Sequence, residues 1–154
     1  MKIRHTIAFC GLMVSVMSGV TAHADSSEVA VKNAWSRASI GTARPGVAYM
    51  KIVNGGDEPV ILTGVRSGIA TMSHVHMTST NAEGVSSMAP AHDIEIQPGK
   101  AFVLEPGGFH VMLMGLNTAM REGESHELTL LFSDGDPVMV EVPILGIAAR
   151  GPKD

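Results

Sequence analysis

The chain has 154 residues, of which 45% are hydrophobic and 17% are charged, and its formal net charge is −4. The charges are scattered and form no basic stripe, which argues against nucleic acid as a partner. Cys10 is the only cysteine, so the composition excludes an intrachain disulfide.

The first 24 residues have the pattern of a secretory signal peptide. Lys2 and Arg4 provide a positively charged start, residues 6–20 are mostly apolar, and residues 22–24 form a small-x-small cleavage site. The alternative is a membrane anchor, but a spanning helix needs about 20 apolar residues, and this stretch is shorter. Cys10 lies too early, and in the wrong surroundings, to be a lipid-attachment cysteine. We predict cleavage after Ala24.

Residues 25–154 are long enough for one domain with its own core, and we predict a single domain. Loss of Lys2 and Arg4 with the signal lowers Lys+Arg from 11 to 9 against 15 Asp+Glu, so the net charge becomes −6. The processed chain contains no cysteine, which excludes a thiolate nucleophile and a Cys-ligated metal. Any soft-metal chemistry must therefore use other donor atoms.

Short β-type segments, separated by Gly, Pro, Asn and Asp, follow one another along this domain. We predict strands at 29–37, 46–54, 60–67, 72–79, 84–90, 101–106, 109–116, 126–134 and 137–145. Several short strands with regular turns are typical of an all-β sandwich or barrel. Residues 116–124 are the best place for a helical turn or a structured loop.

The fourth and fifth predicted strands form a hairpin around the turn at residues 81–84, where Gly84 is able to adopt a left-handed conformation. His76 and Met88 lie six residues to either side of Ala82. We therefore expect them to face each other directly or nearly so, with Cβ atoms about 4.5–5.5 Å apart if directly opposite.

The segment at 109–116 places His110, Met112 and Met114 at alternate positions, so a β-strand directs all three to one face. His110 and Met112, together with the hairpin pair, can gather two imidazoles and two thioethers. Thioether is a soft donor and imidazole a borderline one, which together suit Cu(I). Zn(II) sites rarely use methionine, and a blue-copper centre needs a thiolate that the processed chain lacks.

Most of the other methionines and histidines are expected to have structural roles, because methionine fills gaps in cores well. We expect core packing for Met114, in the apolar part of its strand, and packing rather than ligation for Met50, Met120 and Met139. Surface or hydrogen-bonded positions are expected for His92 and His126. His74 shares its strand face with His76, and whether it joins the site is left open, as are the roles of Met72 and Met77.

The spacing of His76-Met77, Met88, His110 and Met112 resembles the H(M)x10Mx21HxM signature of the PCu(A)C family of periplasmic copper chaperones. Both gaps match without insertion. The segments at 34–54 and 95–116 also resemble the family, so the similarity covers nearly all of the processed chain.

This resemblance implies a cupredoxin-like antiparallel β-sandwich with Greek-key topology. It implies that His76, Met88, His110 and Met112 bind Cu(I), and that the protein, located in the periplasm, is no enzyme. The implied partner is a copper-accepting protein, either a cytochrome oxidase subunit, through delivery to the Cu(A) centre, or another copper chaperone. We expect a monomer that passes copper on by ligand exchange. The alternatives are a secreted β-sandwich without a metal role and a copper enzyme.

Overall fold

The computed structural model describes residues 28–133 and 135–152, and the predicted signal peptide lies outside them. Within these residues the regular structure consists of ten strands. This part of the chain contains no helix with the length and hydrophobicity that a membrane span requires. The strands are β1 Val29–Arg37, β2 Gly46–Asn54, β3 Val60–Ser67, β4 Ala70–Thr80, β5 Ser86–Ala91, β6 Ile94–Ile96, β7 Ala101–Leu104, β8 Phe109–Leu116, β9 Ser125–Phe132 and β10 Val138–Leu145.

The strands form two layers of a sandwich. One layer has the order β5-β4-β8-β2-β1, with β7 also paired to β2, and the other has the order β10-β9-β3-β6. All pairings are antiparallel except one, a short parallel contact between β1 and β10 that joins the layers at Ser36↔Ile144 and Arg37↔Leu145. The predicted all-β sandwich is therefore confirmed.

The core lies between the two layers and is built by alternate residues of each strand. In β9 the buried residues are Leu128, Leu130 and Phe132, as the alternation in the sequence indicates. Met50 and Met120 are also buried in this core, which confirms their packing role. Met139 is 66% exposed on β10, so the packing prediction was wrong for that residue.

Two other features differ from the sequence prediction or refine it. The three-residue strand β6 was not predicted, because so short a segment has no detectable periodicity. Residues 116–124 form no helix and run as a structured loop that is anchored at Met120. The amide of Met120 donates to the hydroxyl of Ser39 at 2.9 Å, and its side chain is buried in the core against Gly46.

The central position of β8, between β4 and β2, fixes its two faces. Val111 and Leu113 point into the core, and the alternate residues point to the outer surface of the layer. The alternation ends at Gly115, whose φ of +63° turns the strand so that Leu116 is buried again. A Cβ atom at Gly115 would lie 2.9 Å from the hydroxyl oxygen of Thr71 on β4.

Gly115→Ala is expected to lower the free energy of unfolding by about 1–3 kcal/mol, because a non-glycine residue is strained at positive φ and its Cβ would crowd Thr71. Urea denaturation monitored by circular dichroism measures this loss. Gly68→Ala is the matched control, since Gly68 has open space around it and no positive φ. Equal losses in the two variants would contradict this account of Gly115.

Candidate metal centre

Two histidines face each other on the outer surface of the β4-β8 pair. His76 of β4 lies directly opposite His110 of β8, and their ring centroids are 6.2 Å apart with an interplanar angle of 47°. An ion bound by both rings would form two imidazole–metal bonds of about 2 Å each. These bonds would account for roughly two thirds of the distance between the centroids, and the distances from each centroid to its nitrogen would account for the remainder. The spacing is therefore suitable for one ion between the rings.

The tautomer of His110 is fixed by the backbone. Its Nδ1–H donates to the carbonyl of Gly108 at 3.2 Å, so the lone pair is on Nε2, and that buried atom has no hydrogen-bond partner. The same carbonyl accepts the amide of Thr78 on β4 at 3.1 Å, which ties the turn before β8 to the neighbouring strand. A fixed second nitrogen is the usual way in which a protein orients a metal-binding histidine.

His76 has the same kind of free nitrogen. Its Nδ1 is buried without a hydrogen-bond partner. Buried polar atoms are nearly always satisfied in folded proteins. The Nδ1 atom of His126 also lacks a partner, but among the described residues only His76 and His110 bring two such nitrogens onto facing residues, and that pairing requires a specific explanation. Desolvation lowers the pKa of His76, and the nearby His110, His74 and His92 lower it further. The neutral ring, which is the form that binds a metal, is therefore favoured at neutral pH.

Two thioethers lie on the same face as the histidines. Met112 is two residues beyond His110 on β8, is half-buried, and lies opposite His74 on β4 and Val47 on β2. Met88 lies on the edge strand β5, where its side chain is 58% exposed. All four residues singled out in the sequence are therefore brought to one surface, where His110 is buried, His76 and Met112 are half-buried and Met88 is exposed.

The register of the β4-β5 hairpin is not symmetric about Ala82, as the sequence analysis had assumed. Met88 lies opposite Thr78, while His76 lies opposite Pro90, so His76 and Met88 are diagonal neighbours rather than a direct pair. The reason is a five-residue turn, in which the side-chain oxygen of Asn81 accepts the amide of Val85 at 2.8 Å. Because the shift is by two residues, the two side chains still share a face. Gly84 adopts the expected left-handed conformation, with φ of +79°.

The prediction that Met114 is core filler was wrong. It lies half-buried on the outer surface of β8, opposite Met72 of β4, which is 52% exposed. His74 is exposed on the same surface, opposite Met112. Because the segment at 109–116 is apolar on both faces, its sequence does not reveal that Met114 lies on the outer surface. Only the residues at the other alternate positions of the strand face the core.

The two remaining histidines have the roles expected of them. His92 is exposed beyond the end of β5. His126 is buried and hydrogen-bonds the hydroxyl of Ser36 at 3.2 Å, and its burial lowers its pKa. Within the described part of the chain, no group of three or more His, Cys, Asp or Glu side chains is placed to hold a metal ion.

Gly108 contributes to the candidate site through its backbone carbonyl, and the sequence analysis missed this role. The carbonyl of Gly108 orients His110, and this role carries no side-chain signal. Only the geometry of the turn between β7 and β8 reveals it, since Gly108 N donates to the Glu105 carbonyl and Glu105 N to the Phe109 carbonyl.

Comparison with protein families and curated proteins gives two consistent matches. The family model described as "Putative lipoprotein LpqE-like" matches residues 29–144. The protein "Putative lipoprotein Lxx21020" of Leifsonia xyli subsp. xyli (strain CTCB07) is 35% identical over 117 residues, which cover 75% of this chain and 69% of that protein.

Solved structures with the same fold include copper-bound domains. The copper-bound PCuAC domain from PmoF2 matches with a TM-score of 0.65 and 25% identity, over 77% of this chain and 93% of that domain. The solution structure of CuI-DR1885 from Deinococcus radiodurans matches with a TM-score of 0.59 and 30% identity, over 75% of this chain and 76% of that one. The resemblance to the PCu(A)C family and its cupredoxin-like fold is therefore confirmed.

Proposed function

The chain belongs to the LpqE-like family, and from that premise we propose that it is a periplasmic chaperone that binds one Cu(I) ion through His76, Met88, His110 and Met112. The observation that carries the proposal is the pair of buried imidazole nitrogens, His76 Nδ1 and His110 Nε2, which face the same surface without hydrogen-bond partners. The copper-bound PmoF2 domain and CuI-DR1885, which share this fold, support the choice of metal.

The chemistry of the donors agrees with Cu(I). Two thioethers and two neutral imidazoles form an uncharged set in which soft donors are prominent, and such a set favours a soft monovalent ion over hard or more highly charged ones. A thioether cannot be protonated and forms no disulfide. The site is therefore suited to holding Cu(I) in an oxidising compartment, where thiolates are at risk of oxidation.

The gradient of exposure across the site supports transfer rather than storage. His110 is 4% exposed, whereas Met88 is 58% exposed on an edge strand. In the proposed transfer, an acceptor ligand forms a bond to Cu(I) as the bond to the Met88 sulfur breaks, and the remaining donors follow one at a time. Copper stays in the +1 state throughout, and the chain acts as a carrier that catalyses no reaction.

Removal of a single ligand should weaken binding without unfolding the protein. We expect His110→Ala and Met112→Leu each to lower the affinity for Cu(I) by at least tenfold, about 1.4 kcal/mol, in anaerobic titration against a chromophoric Cu(I) chelator. Met139→Leu is the control for loss of a thioether, since Met139 is exposed on β10 in the other layer, away from the candidate site. Absence of competition by the wild-type protein would favour the alternative of a β-sandwich without a metal role.

Affinity should also depend on pH, since protons and Cu(I) compete for the imidazole nitrogens. An ordinary histidine has a pKa of about 6.5, so we expect affinity to begin to fall below that pH. Because the pKa of His76 is lowered, its ring stays neutral further into the acid range. The loss of affinity that is caused by protonation of His76 is therefore expected at lower pH. Chelator titrations across the acid range measure this. A flat profile down to about pH 4, well below the ordinary histidine pKa, would contradict two essential histidine ligands.

The partner proposed for this carrier is a copper-accepting protein, with the Cu(A) centre of a cytochrome oxidase as the leading acceptor and another copper chaperone as the alternative. A deletion strain is expected to lose oxidase activity in copper-limited medium and to recover it when copper is added. Complementation with wild-type protein should restore activity without added copper, and complementation with His110→Ala should not. Unchanged oxidase activity in the copper-limited deletion strain would point to a different acceptor.

The proposed location is the periplasm, after cleavage following Ala24, and the proposed state is a monomer. The names of the matched family and of the Leifsonia protein contain the word lipoprotein. In this chain the one cysteine, Cys10, falls within the residues that we expect to be removed. The remaining alternative, a copper enzyme, predicts turnover by the copper-loaded protein in oxidase or superoxide-dismutation assays.

A further inference from the structure

The outer surface of β4 and β8 carries a continuous ladder of histidine and methionine pairs. Three successive cross-strand pairs on this surface consist only of these two residue types: His76 with His110, His74 with Met112, and Met72 with Met114. Directly opposite residues have Cβ atoms about 4.5–5.5 Å apart. Successive pairs on one face are about 7 Å apart, which is two residues of a β-strand.

The proposed Cu(I) site uses only part of this ladder. It takes both members of the first pair and Met112 of the second, and it leaves His74, Met72 and Met114 unassigned. Core packing does not explain these three. Met72 is 52% exposed, His74 is exposed and Met114 is half-buried, while other residues of the same strands fill the core. A single exposed methionine such as Met139 is ordinary, but core packing does not explain a directly opposed methionine pair that continues the row of proposed ligands.

The backbone ends the ladder at the Met72–Met114 pair. Beyond it, the positive φ of Gly115 turns β8, and Leu116 enters the core opposite Ala70. Two thioethers and one imidazole therefore lie at neighbouring positions on one face at the end of the ladder. As uncharged soft and borderline donors, they suit the same class of ion as the first site.

We propose that Met72, Met114 and His74 form a second, weaker Cu(I) position beside the first one. This inference rests on the proposed Cu(I) binding at His76, Met88, His110 and Met112. The second position lacks the facing imidazole pair of His76 and His110, so it holds the ion more loosely. It provides a place where an incoming ion is held while the first site is filled, or through which an outgoing ion passes. Movement between the two is ligand exchange, in which one Cu–donor bond forms as another breaks without a change of oxidation state.

The competing explanation is a hydrophobic cross-strand pair with no metal role. Leucine keeps the apolar character and approximate volume of methionine but removes the sulfur donor. The double variant Met72→Leu/Met114→Leu therefore separates ligation from packing. Met139→Leu, exposed in the other layer, is the matched control for loss of a surface methionine.

The test is anaerobic Cu(I) titration of the processed protein, read out by a chromophoric chelator and by NMR of isotope-labelled methionine methyl groups. We expect the wild type and Met139→Leu to bind two equivalents, the second at least tenfold more weakly than the first. Met72→Leu/Met114→Leu should bind one equivalent with the affinity of the first site unchanged. In the wild type, the Met88 and Met112 methyl signals should shift with the first equivalent, and those of Met72 and Met114 with the second.

A variant that disables the first site completes the test. Met88→Leu/His110→Ala is expected to retain one weak equivalent that shifts the methyl signals of Met72 and Met114. If the wild type binds a single equivalent and excess Cu(I) leaves those two signals unmoved, the second position does not exist, while the proposed function stands. Retention of the second equivalent by Met72→Leu/Met114→Leu also overturns it. Absence of any Cu(I) binding by the wild type overturns both proposals.

Discussion

Antiparallel pairing of β4 with β8 holds His76 opposite His110, and the other features of the candidate site depend on that register. Val111 and Leu113 of β8 are fully buried, and Val75 of β4 packs with them on the core side. A slip of one residue would send these apolar side chains to the surface and the imidazoles into the core. The hydrophobic effect therefore fixes the positions of the polar donors, although none of them lies in the core.

The same layer produces a gradient from rigid to accessible donors. β8 lies inside the layer with neighbours on both sides, and the Gly108 carbonyl fixes the ring of His110. β5 lies at the edge, so the sulfur of Met88 is open to solvent and to a partner. A carrier must hold its ion specifically and also release it. In the proposed Cu(I) site, imidazoles on the interior strands β4 and β8 would hold the ion, and a thioether on the edge strand β5 would allow its release.

Sequence reasoning was most reliable where side-chain alternation and turn residues agree. The bounds of β1, β2, β3 and β8 match the predicted strands, and Gly84 takes the expected conformation. It was less reliable where the backbone alone decides. Asn81 closes a turn that shifts the hairpin so that Met88 pairs with Thr78 rather than with His76, and the sequence carries no direct signal for the choice between these registers.

The sequence by itself determined the fold class, the donor types and the parity of each donor within its strand, because alternation is a local property of the chain. Apart from the β4-β5 hairpin, it did not determine which strands are neighbours. Only the tertiary structure places β4 beside β8, and that contact brings His74 opposite Met112 and Met72 opposite Met114. Met114 was misassigned to the core because the apolar character of its segment was given more weight than the parity that it shares with His110 and Met112. An apolar strand has two faces, and which one meets the opposite layer depends on pairings between residues far apart in sequence.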